Sequence, residues 1–124
     1  MPDSINLNKL HPIDFREVLG RIGGDTSFLL ELLDIYFQEY SKKKQLLDEA
    51  ITQQDFTQVG DIGHSLKGAS ANLSLTRLLR VALLIESAGR EKKLQSAQEA
   101  ACILELEIRT LKDFLARNRL EDLP

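Results

Sequence analysis

The helical spacing of apolar residues through nearly the whole chain is the feature that most constrains its fold. The longest such stretch runs from about Thr26 to Gln53, with Asp25 as its predicted N-cap. Its apolar residues recur at three- and four-residue intervals and predict one buried helix face: Phe28, Leu32, Leu33, Tyr36, Phe37, Tyr40, Leu47 and Ile51. No stretch alternates convincingly with a period of two, so we expect an all-α fold without strands.

Four further stretches are predicted to be helical, and each begins at a residue type that favours a helix N-terminus. Pro12 suits the first turn of a short helix that ends near Gly20. The N-caps predicted for the later helices are Asp55 with Gln58 as a capping box, Thr76, and Ser96 with Glu99 as a second capping box. The corresponding helices cover about 56–73, 76–93 and 97–115.

Four long amphipathic helices joined by short turns predict an antiparallel four-helix bundle with a short extra N-terminal helix. A chain of 124 residues, 43% of them hydrophobic, can form one domain with a substantial core. We expect this domain over residues 12–120, after a polar leader over residues 1–11. The inward positions predicted for the last two helices are Leu79, Ala82, Leu83, Ile85, Ala97, Ala101, Leu104, Ile108, Leu111 and Leu115.

Charge, hydropathy and cysteine content exclude several functional classes. A formal net charge of −3 and a pI of about 5.4 argue against a nucleic-acid-binding surface. No apolar run approaches the ~20 residues that span a bilayer, and the N-terminus lacks the regions of a signal peptide, so we expect a cytoplasmic protein without a membrane contact. The single cysteine, Cys102, fits a reducing compartment and is predicted to lie in or near a helix core.

The strongest chemical signal is the run His64-Ser65-Leu66-Lys67-Gly68 in the third predicted helix. At about 100° per residue, His64, Lys67, Gly68 and Ala71 share one stripe, and the apolar positions Val59, Leu66 and Leu73 lie on the other side. The imidazole is therefore expected to face solvent. It is suited to carrying a phosphoryl group, because the lysine offsets phosphate charge and the glycine leaves room for a second protein.

Three glycines in this helix need a reason, because each costs roughly 0.8–1 kcal/mol relative to alanine in a helix interior. Gly63 lies near the core stripe, and we assign it to close packing of a neighbouring helix. Access to His64 is the interpretation that suits Gly68 and Gly60.

The run from His64 to Leu73 resembles the signature of histidine-containing phosphotransfer (HPt) domains, the phosphorelay intermediates of multistep two-component signalling. Gly23-Gly24-Asp25, Leu84-Ile85-Glu86 and Arg90 agree with the resemblance, which covers roughly residues 13–117. It implies a four-helix bundle in which one histidine accepts a phosphoryl group from the aspartate of a receiver domain and passes it to another receiver.

The resemblance also implies roles for individual residues. His64 matches the phosphoacceptor, Lys67 the phosphate-neutralising cation, Gly68 the clearance residue, Glu86 a polar position that can orient the imidazole, and Arg90 a basic position near the site. Imidazole is largely neutral at physiological pH, so one ring nitrogen is a nucleophile while the other donates a hydrogen bond. We expect Nε2 of His64 to attack and Glu86 to accept from Nδ1.

Three positions also have other interpretations. Ser74 stands where many members of the family have glycine, so the partner-facing groove is expected to be slightly tighter there. Glu86 is equally consistent with an exposed helical carboxylate. Arg90 is equally consistent with compensation of helix C-terminal charge, which is favourable by ~0.3–1 kcal/mol.

The sequence contains neither G-x-x-x-x-G-K-[ST] nor G-x-G-x-x-G, so we expect a phosphotransfer carrier without kinase activity of its own. His11 is interpreted as an incidental exposed residue, no metal or cofactor site is expected, and any Mg²⁺ belongs to the receiver's acidic pocket.

The expected partners are receiver domains of a hybrid histidine kinase, of a response regulator, or of both, and we expect a monomer. Two other functional classes stay open at this point. One is a non-phosphorylated helical adaptor that docks signalling partners, and the other is an enzyme that uses His64 as a general base.

Overall fold

The computed structural model describes residues 11–118 and contains five helices in that range. They are α1 Phe15–Arg21, α2 Thr26–Gln53, α3 Phe56–Asn72, α4 Thr76–Glu91 and α5 Leu94–Arg117. No strand occurs among these residues, which confirms the all-α prediction. The predicted polar leader, apart from His11, and the predicted domain end at residue 120 lie outside the described residues.

The four long helices form an antiparallel bundle because the turns between them contain only two or three residues. Each long helix packs against two others, in the order α2, α3, α4, α5 and back to α2. None of the helices within residues 11–118 is long and apolar enough to cross a membrane.

Two of the predicted helix starts are confirmed. The Asp25 carboxylate accepts from the Phe28 amide at 3.0 Å, and the Asp55 carboxylate accepts from the Gln58 amide at 3.2 Å. Such bonds satisfy amide groups that the first helical turn leaves unpaired. The prediction for Pro12 is wrong by about one turn, because Asp14 caps α1 and Pro12 is buried ahead of it.

The predicted N-cap at Thr76 is wrong. Leu75 occupies the N-cap position of α4 with its side chain fully buried, and Thr76 is the first helical residue. The Thr76 hydroxyl instead donates to the carbonyl oxygen of His11. Burial of a leucine therefore decides where α4 begins, and the threonine ties the start of the described chain to the bundle.

The capping box predicted at Ser96 is also wrong, because α5 begins at Leu94, three residues before the predicted first helical residue, Ala97. Lys92 adopts a left-handed conformation with φ 56°, which ends α4 at Glu91 and allows Lys93 to serve as the next N-cap. Ser96 consequently lies inside the first turn of α5.

The core contains side chains from all five helices, and most of the predicted inward positions are buried. Phe28 and Leu83 are corrections, since they are 43% and 39% exposed while Leu29 and Val81 are fully buried. Cys102 is a third correction: it is exposed, because its neighbour Ala101 takes the inward position on α5.

The short helix α1 is tied to the turn that follows α3. The Arg21 guanidinium donates to the carbonyl oxygens of Ala71 and Asn72 at 3.1 and 2.7 Å, and to Ser74 Oγ at 2.7 Å. Ser74 Oγ in turn donates to the Glu17 carboxylate at 2.6 Å. These bonds satisfy polar groups at a helix C-terminus and hold α1 against the end of α3.

Candidate functional site

His64 lies on the outer face of α3, near the middle of the helix, with its side chain 71% exposed. The opposite face of the same helix carries Val59 and Leu66, which are at most 1% exposed. This separation of faces produces the orientation that the stripe of polar and small residues predicts. An imidazole held by a buried helix face and open to solvent is accessible to another protein.

Glu86 of α4 holds one nitrogen of this imidazole. Its Oε2 lies 2.9 Å from His64 Nδ1, and its Oε1 accepts from Lys67 Nζ at 3.0 Å. The hydrogen bond from Lys67, and then the one from His64, hold the pKa of the Glu86 carboxyl below its usual value. An ionised carboxylate only accepts hydrogen bonds, so Nδ1 carries the proton and donates it.

The second interpretation of Glu86, as an exposed carboxylate, is therefore wrong. Its side chain is only 17% exposed, and both of its oxygens are engaged. In the neutral form of the ring, a proton on Nδ1 leaves the lone pair on Nε2, and no protein atom within residues 11–118 hydrogen-bonds to Nε2. The hydrogen bond to Glu86 therefore orients the ring and leaves Nε2 as its open nitrogen.

Lys67 and Arg90 place two cations beside this carboxylate, one from each helix. Lys67 is 31% exposed and makes the close contact, whereas Arg90 is 72% exposed and lies 3.8 Å from Glu86 Oε1. Arg90 also occupies the last turn of α4, where a positive charge compensates the helix dipole. Both interpretations of Arg90 are compatible with this position.

The glycines of α3 divide into two groups. A Cβ on Gly63 would lie 2.4 Å from the Glu86 amide nitrogen, so Gly63 permits close packing of α4, as predicted. Gly60 also faces α4, where a Cβ on its partner Gly89 would lie 2.3 Å from the Gly60 nitrogen. A Cβ on Gly60 itself would make only ordinary van der Waals contact, 3.8 Å from the Glu86 carbonyl oxygen, so the access interpretation of Gly60 stays a prediction. Gly68 differs from both, because no atom lies within 4 Å of its Cβ position.

Sequence reasoning missed Gly89, although a lone glycine inside a helix costs about 1 kcal/mol and was a usable signal. It also missed Asp61 and Lys92, which help to line an open groove of about 410 Å³ between α3 and α4. His64 lies at this groove, so a partner that reaches the imidazole also meets a carboxylate from α3 and a cation from the end of α4.

Ser74 does not belong to the group of side chains around His64. It follows the end of α3, ten positions from His64, which corresponds to about 15 Å along a helix. Its side chain is buried against α1, where it bonds to Arg21 and Glu17. The expected tightening of a partner-facing groove at Ser74 is therefore wrong, because α1 covers this position.

Within residues 11–118, no group of three or more histidine, cysteine, aspartate or glutamate side chains could hold a metal ion. A protein-family model described as Hpt domain matches residues 31–117 of the chain. Neither the curated proteins nor the solved structures give a match.

Proposed function

The chain belongs to the Hpt domain family, whose role is histidine phosphotransfer in two-component signalling, and we propose that it is a phosphorelay carrier that uses His64. In this proposal His64 accepts a phosphoryl group from the aspartyl phosphate of one receiver domain and passes it to the aspartate of another. The observation that carries the proposal is the exposed imidazole whose Nδ1 is held by Glu86, because it leaves Nε2 as the nucleophile.

The transfer step needs positioning and charge stabilisation more than covalent chemistry from the protein. Nε2 attacks the phosphorus as the bond between phosphorus and the aspartyl oxygen breaks, and the receiver's carboxylate leaves with the bonding electrons. The ring becomes a positively charged phosphoimidazolium that keeps its proton on Nδ1. Glu86, 2.9 Å away, stabilises that positive charge, and the reverse sequence returns the phosphoryl group to a second receiver.

Lys67 supplies the charge that compensates the phosphoryl oxygens. It lies one helical turn from His64 and is bound to Glu86 Oε1 before transfer, so its ammonium can turn from the carboxylate toward the new anion. Gly68, exposed and without neighbours at its Cβ position, leaves space for the approaching receiver. Any Mg²⁺ required for transfer would lie in the acidic pocket of the receiver.

The partner surface comprises the exposed side of α3 around His64, the facing part of α4, and α1. A relay partner must dissociate after each transfer, so we expect a transient interface at or below ~1,600 Å². Titration of the ¹⁵N-labelled protein with a receiver domain should shift amide signals in residues 60–74 and 80–90. Shifts confined to the opposite face of the bundle, between α2 and α5 near Lys44 and Glu105, would refute this surface.

The decisive experiment incubates the protein with a phosphorylated receiver domain and looks for acid-labile, alkali-stable phosphate. Label on the wild-type protein and none on His64→Gln supports the carrier. A protein that binds the receiver without acquiring phosphate would instead be the helical adaptor. Label that persists on His64→Gln would show that another residue is the acceptor.

A further inference from the structure

We propose that Gly63 is a positioning residue for phosphotransfer, because it lets the α4 backbone approach α3 closely enough for Glu86 to hold Nδ1 of His64. This inference rests on the proposed function. It assigns a role to a residue that does not touch the reacting atoms.

The close contact at Gly63 is made with the backbone of Glu86 itself. A Cβ on Gly63 would lie 2.4 Å from the Glu86 amide nitrogen and 2.8 Å from its Cα. Neither atom can yield without a shift of α4, since both belong to the helical backbone. Gly63 also directly precedes His64, so a single peptide unit separates this close helix contact from the imidazole-bearing residue.

This helix separation determines whether the carboxylate reaches its partner. To bring a 2.4 Å contact to the 3.4 Å of an ordinary van der Waals contact, α4 would have to withdraw by about 1 Å. A withdrawal along the line between Nδ1 and Oε2 would lengthen their 2.9 Å bond to nearly 4 Å, which is beyond hydrogen-bond range. A misplacement of ~1 Å can lower a reaction rate by about 100-fold.

The experiment measures the His64 tautomer and phosphotransfer in the same full-length variants. Ring ¹⁵N chemical shifts of the unphosphorylated protein report which nitrogen carries the proton, and a time course with a phosphorylated receiver reports transfer. Gly63→Ala should lower the fraction protonated on Nδ1 and slow transfer toward the rate of Glu86→Ala. An unchanged tautomer in folded Gly63→Ala would overturn the proposal.

A double variant tests whether Gly63 acts through Glu86. In the Glu86→Ala background, Gly63→Ala should cause little further slowing, because both changes remove the same hydrogen bond. If the two effects on the transfer rate multiply instead, the proposal fails. Because the tautomer is read without a phosphoryl donor, a wild-type protein that accepts no phosphate would refute the proposed function rather than this inference.

Two further variants separate positioning from loss of stability. Leu111→Ala opens a cavity in α5 away from the α3–α4 contact, so it should lower the Tm and leave the tautomer unchanged. A tautomer shift in Leu111→Ala equal to that in Gly63→Ala would overturn the proposal. Gly89→Ala covers the case in which Gly63→Ala does not fold. The added methyl group of Gly89→Ala should separate α3 from α4 one turn from Glu86. An unchanged His64 tautomer in the folded Gly89→Ala protein would refute the role of helix separation.

Discussion

Substitutions at Gly68 should change the stability of the helix and the rate of phosphotransfer independently of each other. Its Cβ position is open and the residue is exposed within α3, so Gly68→Ala adds helix propensity without a clash. The expected gain is about 0.8–1 kcal/mol, which corresponds to a rise in Tm of roughly 4 °C for a domain of this size. Gly68→Gln keeps most of that gain, because glutamine is also a good helix former, but its long side chain should obstruct the receiver.

The same glycine-to-alanine change at Gly63 is the matched control. Gly63 lies on the same helix, but a Cβ there would lie 2.4 Å from the α4 backbone. Overpacking there should cost about 1–3 kcal/mol, the opposite sign. Denaturation curves and transfer time courses for Gly68→Ala, Gly68→Gln and Gly63→Ala test both expectations. A markedly destabilised Gly68→Gln protein, or a stable one that transfers at the wild-type rate, would refute the access role of Gly68.

Three further predictions concern the charged cluster. His64→Gln should abolish transfer and change the free energy of unfolding by no more than about 0.5 kcal/mol, because the side chain is exposed; a large loss in a denaturation curve would contradict this. Lys67→Ala should slow transfer more than Arg90→Ala, since Lys67 makes the closer contact with Glu86; wild-type rates for both variants across a range of salt concentrations would exclude the electrostatic role. The hydrogen bonds from Lys67 and His64 that lower the pKa of Glu86 also stabilise the folded protein above the usual carboxyl pKa of 4.5. This stabilisation is lost as the pH falls through the folded-state pKa. Glu86→Gln should therefore be less stable than wild type at pH 7, by a margin that shrinks below about pH 4.5, and a margin independent of pH in thermal unfolding would contradict the assignment.

Local signals predicted much of the fold. Asp25 and Asp55 cap α2 and α3 because a short acceptor side chain before an apolar periodic stretch has few competing uses. The outward orientation of His64 followed from helix periodicity alone, since Val59 and Leu66 define the opposite face. The predictions at Thr76 and Ser96 were wrong because the two helix starts are set by the buried Leu75 and by the left-handed conformation of Lys92. Both features depend on tertiary packing.

The site could be predicted only in part, for the same reason. Glu86 was identified as the hydrogen-bond acceptor for His64, but its simultaneous contact with Lys67 depends on how closely α3 and α4 approach. That approach is set by Gly63 and Gly89, whose backbone contacts join residues more than twenty positions apart. Phe28 shows the same limit, since it is one position from the buried Leu29. Periodicity identifies a helix face to within one residue and cannot choose between adjacent candidates.

The bonds from Arg21 have a practical consequence for the choice of expression boundaries. The family match begins at residue 31, inside α2, so a fragment cut there would lack α1 and the first turn of α2. It would also deprive the Ala71 and Asn72 carbonyls and the Ser74 hydroxyl of their guanidinium donor, at the end of the helix that carries His64. The unit to express and label should therefore begin before Asp14 and keep α1 in place.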